Sequence, residues 1–241
     1  MIRRAAVLAA LTLVPLLGSC DAPWSDDSDR LETARKFPPA DRPVAPTVST
    51  KWSTEEARDR VNEAEDVMNS ADVRPGMTVA DIGAGDGYYT VRLAQRVGTG
   101  GRVLAQDIIP EVIERLADRV ARERLDNVSL KLGAVDDPRL PANSFDRVFM
   151  VHMYHEIGEP YAFLWRLRPA LRKGGQVLVV DGDRPIADHG TPFRLLVCEF
   201  EAVGYKLVSY DDKQHAGGYL ARFVPDGKRP DPDAITVCKN P

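Results

Sequence analysis

The chain has 241 residues, enough for one α/β domain with extensions, and its 44% hydrophobic and 28% charged residues are ordinary for a soluble globular protein. A formal net charge of −4 disfavours a polyanionic partner, so no nucleic acid is expected. Three cysteines are too few for a disulfide-stapled scaffold, and the core has to come from packing.

Arg3 and Arg4 precede an apolar run from Ala5 to Leu17. That run is shorter than the roughly 20 residues a bilayer span requires and has the length of a secretory signal's hydrophobic segment. It closes on Leu17-Gly18-Ser19-Cys20, which resembles the bacterial lipobox. The resemblance implies that residues 1–19 are a lipoprotein signal peptide and that Cys20 carries the lipid. The domain is then anchored to a membrane in the bacterial cell envelope, on the periplasmic face. Asp21 resembles an inner-membrane retention signal. Residues 20–50, with Pro38, Pro39, Pro43 and Pro46, read as the lipid-attachment cysteine and a flexible or extended linker.

Residues 51–241 read as the folded domain. Ser53 to Glu56 form a capping box, and Val61, Ala64, Val67, Met68 and Ala71 follow at helical spacing. Met77–Ile82 is a short apolar run suited to a buried parallel strand, and a helix around Tyr89–Val97 follows. The alternation continues with strand Arg102–Gln106, a helix opened by Pro110, and strands Asn127–Leu132 and Phe145–Val151. A helix over Pro160–Lys173 leads to strand Gln176–Asp181, and a helix over Pro192–Val203 to strand Tyr205–Tyr210. Ala234–Cys238 is the seventh candidate strand. Cys198 and Cys238 are expected to pack as small buried residues, with a bond between them left open. Strands alternating with helices predict a mostly parallel seven-stranded sheet covered on both faces, with ligands beyond the strands' C-terminal ends.

The turn after the first strand reads Asp81-Ile82-Gly83-Ala84-Gly85-Asp86-Gly87, and Asp107 ends the second strand about twenty residues later. A dinucleotide fingerprint would place its third small residue on Tyr88 or Thr90, which are too bulky. The spacing instead resembles motif I of class I S-adenosylmethionine-dependent methyltransferases. Gly133–Asp137, Leu140–Asp146, Leu167–Gly175 and Glu201–Tyr205 resemble later segments of that family in the same order. The resemblance implies a Rossmann-like fold and S-adenosylmethionine as cofactor. It places that cofactor on Asp81, Gly83, Ala84, Gly85 and Gly87, on Asp107 and Ile108, and on Val135 with Asp136. Many relatives carry an acidic residue where this chain has Ala134, so Asp136 or backbone groups are expected to serve the adenine.

Methyl transfer from a sulfonium works largely through positioning, with a base required only where the acceptor must lose a proton. Val151-His152-Met153-Tyr154-His155-Glu156 is the most polar cluster at a strand's C-terminal end, and it resembles the histidine segment of small-molecule methyltransferases. His155, then His152 and Tyr154, are the candidate catalytic residues. The order H-x-x-H-E differs from the metal-binding H-x-x-E-H, so no metal is predicted. His189 and His215 read as solvated loop residues. The expected activity is methyl transfer to a small or lipophilic acceptor. The alternative is a membrane-tethered, non-catalytic binding module that keeps the fold, because the methyl donor is made in the cytoplasm.

Overall fold

Strand β1 (Thr78–Ile82) lies at the middle of a seven-stranded sheet in the computed structural model, which describes residues 30–47 and 54–240. It runs parallel to β2 (Arg102–Asp107) on one side and β4 (Phe145–Val151) on the other. β3 (Val128–Leu132) extends the first half and β5 (Leu171–Asp181) the second, both in parallel. β6 (Tyr205–Lys213) and β7 (Gly218–Pro225) complete the order β3-β2-β1-β4-β5-β7-β6, with β7 antiparallel to both its neighbours. The chain reverses direction across the sheet between β1 and β4, which opens a crevice at their C-terminal ends.

Alternate residues of the central strands face two cores, as the two-residue period of a strand dictates. Val79, Phe149 and Leu178 meet α2 (Glu63–Ser70) and α3 (Tyr88–Val97) on one face. Ala80, Ile82, Val148 and Met150 meet α5 (Pro160–Leu167) and α6 (Phe193–Ala202) on the other. The helix α4 (Pro110–Arg122) packs Leu116 beside Ala84 and Ala105 near the sheet's β2 side. No helix among the described residues is long and apolar enough to cross a membrane. Residues 1–29, including Cys20, and Ser53 lie outside the described residues.

Several boundaries differ from the expectation. The helical stretch before β1 is two helices, α1 (Glu55–Arg60) and α2, separated by Asn62 in a left-handed conformation. Thr54 caps α1 by accepting from the Ala57 N–H. The helix opened by Pro160 ends at Leu167 and tightens into a 3-10 turn, because Pro169 has no N–H to continue the ladder. The seventh strand is not Ala234–Cys238. It is Gly218–Pro225, which pairs with β5 through a buried run that includes Tyr219, Leu220 and Ala221, while Pro232–Ala234 forms a 3-10 turn. Cys238 is buried and disulfide-bonded to Cys198 across 40 residues, and Cys198 is exposed rather than core.

The largest departure concerns the linker. Contacts divide the chain into Met1–Arg30, almost wholly outside the described residues, and Leu31–Pro241. Residues 31–47 are therefore part of the domain. Ala34, Phe37 and Ala45 are buried, and Asp41 bridges to Lys239. Arg42 passes between Ile157 O and the buried Glu199 carboxylate, 2.7 Å from Oε1. The prolines that suggest an extended spacer serve here to keep an extended strap.

Candidate active site

The crevice between β1 and β4 holds a cavity of about 710 Å³. The glycine loop, Gln106 to Ile108 and Ala134 with Val135 line one end. His152, Met153, His155, Glu156 and Arg184 line the other, with α1 above them through Thr54, Glu55, Ala57 and Arg58. Thr47, at the end of the strap, also reaches this cavity.

Gly83, Ala84 and Gly85 present backbone to the cavity, whereas Gly87 turns the chain into α3. At Gly87, φ is 89°, and a Cβ would sit 2.5 Å from Leu116 Cδ1, so a side chain there is strained and displaces Leu116. Asp107 is 5% exposed and is held by two backbone donors: Gly85 N–H to Oδ2 at 3.1 Å and Ile109 N–H to Oδ1 at 3.1 Å. Its carboxylate is thus fixed at the cavity wall. Ile108 and Val135 flank it as apolar side chains 38% and 46% exposed, an arrangement that favours a flat apolar ligand between them. The side-chain amide nitrogen of Gln106 is buried without a hydrogen-bond partner beside Gly133.

Asp81 lies behind the loop rather than on the cavity surface. Its Oδ2 accepts the Thr90 hydroxyl at 2.6 Å, and burial pushes its carboxyl up to about 6, with Asp107 adding to the rise. Asp136 is also turned away. Its Oδ2 accepts from the Thr33 hydroxyl at 2.6 Å and from Arg166 at 2.5 Å, so it ties the strap to the domain. Of the groups near this end, Val135, Ile108 and Gln106 line the cavity, and Asp81 and Asp136 do not.

Of the three candidates after β4, two face the cavity. Tyr154 does not: it is fully buried and donates to Glu199 Oε2 at 2.7 Å. Burial and the Glu199 charge push its hydroxyl well above the ordinary range, so it stays protonated. His152 has a left-handed backbone (φ 54°), its Nε2 lies 3.5 Å from Glu63 Oε1, and its buried Nδ1 has no partner. Burial pushes Glu63 up, yet His152 and Arg58 outweigh it and hold the carboxyl at about 2. His155 is 1% exposed and donates or accepts through Nδ1 to Asp181, at 3.0 and 3.1 Å from its two oxygens.

Glu63 and Gln106 escaped the sequence reading because helical and strand spacing marks them only as half-buried positions. His189 read as a solvated loop residue, but its ring packs edge-on to His155 with centroids 5.5 Å apart. Asp181 was legible as a strand-end carboxylate, though its partner was not.

Residues 79–175 match a family described as a methyltransferase domain. The segment is therefore similar to that family. Nocamycin O-methyltransferase of Saccharothrix syringae is 39% identical over 85 residues, covering 35% of this chain and 30% of that protein. A ubiquinone/menaquinone biosynthesis C-methyltransferase of Bordetella avium is 34% identical over 121 residues, covering 48% of this chain and 45% of that protein. The chain thus spans from 30% to 45% of these relatives' lengths. A solved S-adenosylmethionine-dependent methyltransferase from Aquifex aeolicus superposes with a TM-score of 0.61 at 22% identity, covering 72% of this chain and 97% of its own. That likeness establishes the Rossmann-like methyltransferase fold. The glycine loop, Asp107, His152 and His155 all fall within the matched segment, while Asp181 and His189 lie beyond it. S-adenosylmethionine fits the residues present: a fixed carboxylate for a ribose diol, a side-chain-free loop for close approach, and apolar walls for a purine.

Proposed function

We propose that the chain transfers a methyl group from S-adenosylmethionine to a small or lipophilic acceptor. The observation that carries this reading is the Asp107 carboxylate, buried yet facing the cavity and locked against the glycine loop. S-adenosylmethionine supplies the activated methyl group when bound. Asp107 accepts the two ribose hydroxyls, and Ile108 and Val135 enclose the purine. The acceptor enters at the histidine end. His152, whose Nε2 faces Glu63, is the base for an acceptor proton, and His155, backed by Asp181, orients the acceptor. The protein's work is positioning and exclusion of water, since the sulfonium carries its own leaving group.

The lipobox-like segment and the Cys198–Cys238 disulfide together favour the cell envelope, because such bonds persist in oxidising compartments. We therefore place the domain at the membrane's periplasmic side through Cys20.

Calorimetric titration of the whole chain with S-adenosylmethionine, and separately with NADH, tests the reading. Binding of the first and not the second is expected. Asp107→Asn removes charge from two hydrogen bonds worth about 1.5–3 kcal/mol each, so affinity should fall about 100-fold. No binding to well-folded protein sinks the proposal.

A further inference from the structure

We propose that His155, Glu156 and His189 bind a divalent cation of the zinc class at the acceptor end of the cavity, where it holds an acceptor oxygen. The role of the cation, though not the site itself, rests on the methyltransferase reading. One ligand atom from each of the three residues lies within 4.8 Å of the other two. Zinc bonds of about 2.0–2.2 Å set ligand atoms about 3–4 Å apart, so modest side-chain rotation closes the cluster around an ion.

The strongest argument is the support behind His155. Asp181 is fully buried and receives Nδ1 of His155. The same carboxylate accepts the Thr191 hydroxyl at 2.7 Å and the Gly182 N–H at 2.9 Å, so it cannot swing away. A carboxylate fixed on Nδ1 keeps the proton there and leaves the lone pair on Nε2. This is the usual support behind a metal-binding histidine.

His189 comes from a separate stretch of chain. It ends the 3-10 turn Ile186–Asp188 with φ 55°, a left-handed conformation that a side-chain-bearing residue rarely adopts. Its position is fixed by Arg184, which donates to Asp188 O at 2.9 Å and to His189 O at 2.8 Å. His155 and Glu156 line the cavity. Two imidazole nitrogens and one carboxylate oxygen leave a fourth position open, the ligand set of catalytic rather than structural zinc. Glu156 and Asp181 offset the charge of the ion.

The site favours an acceptor with an ionisable oxygen, such as a phenol or an enol. Bound to the cation, the O–H loses its proton more readily, and His152 takes that proton and returns it to water. The oxygen then forms its bond to the methyl carbon as the methyl–sulfur bond breaks. The electron pair stays on sulfur, which leaves as a neutral thioether.

The test is uptake of Co²⁺, read by visible absorption, and of Zn²⁺, read against a chromophoric chelator, by the full chain after metal removal. One equivalent with tetrahedral or five-coordinate cobalt bands is expected. His189→Ala and Glu156→Gln should each weaken uptake about 100-fold, and Asp181→Asn about 10–100-fold, while His215→Ala leaves it unchanged. Near-UV circular dichroism of each variant checks its fold. No stoichiometric uptake overturns the site, as does uptake undiminished in both His189→Ala and Glu156→Gln. S-adenosylmethionine binding is titrated on the same samples. Donor binding without metal uptake removes only the metal site. Metal uptake without donor binding upholds the site and removes the methyltransferase reading.

Discussion

Asp81→Asn should stabilise the domain at neutral pH and lose that advantage in acid. The carboxyl is fully buried behind the glycine loop, where desolvation and nearby Asp107 outweigh the Thr90 hydroxyl and the more distant Arg58 charge. It titrates at about 6, against about 3.9 in an unfolded chain. The folded state therefore holds its proton more tightly than the unfolded state. Stability from this group is fully present below the unfolded value and is lost as pH rises through about 6. At about 1.4 kcal/mol per pH unit, the ionised carboxylate costs the fold about 3 kcal/mol at pH 7.5 and only about 0.5 kcal/mol at pH 4. Asparagine is nearly isosteric, does not ionise and still accepts the Thr90 hydroxyl. Urea unfolding of both proteins at these two pH values measures the difference. A variant less stable at pH 7.5, or a gap that does not change with pH, would falsify the claim that burial governs this carboxyl. A stabilising substitution here implies that the aspartate is kept for function, since a cationic ligand in the crevice favours its ionised form.

Arg42→Ala leaves the Glu199 carboxylate buried without its guanidinium, which typically costs about 3–5 kcal/mol. For a domain of this size the melting temperature should fall by about 10 °C in a calorimetric scan, and an unchanged value would mean that the strap is not part of the cooperative unit. Glu63, held at about 2 by His152 and Arg58 against its burial, contributes stability above the unfolded carboxyl range of about 4.3 that is lost as pH falls toward 2. Glu63→Gln should flatten that acid limb in a pH series of unfolding curves. Reduction of Cys198–Cys238 opens a loop whose closure is worth about 4 kcal/mol, so a reductant should lower the thermal midpoint, and no shift argues that the bond is absent in solution.

The parallel half of the sheet was legible because buried strands read as short apolar runs between helix-period segments. β4 is found at Phe145–Val151, as the pattern predicts. That the glycine loop and Asp107 would meet at one crevice was legible for a similar reason: glycines and a strand-end carboxylate are local signals. The arrangement of the residues after β4 was not. Tyr154 and His155 are adjacent in the chain, but the 3-10 turn after β4 sends one into the α6 core and the other toward the cavity. β7 was missed because Arg222 interrupts its apolar run. The strap was missed because its buried contacts, Phe37, Ala45 and Arg42, are scattered among prolines with no periodicity.

The strap is part of what supports the crevice. A loose linker would leave the domain indifferent to the segment before it. Instead, Thr33 fixes Asp136 next to Val135, Arg42 neutralises the Glu199 that holds Tyr154, and the Ala45 N–H donates to His155 O at 3.0 Å. These three contacts fall along one strap and touch both ends of the crevice. Removal of residues 31–47 would therefore strip the support from the loop that carries Val135 and from the turn that carries His155. Residues 31–47 belong to the framework of the crevice, so a truncation that removes them should be expected to damage it.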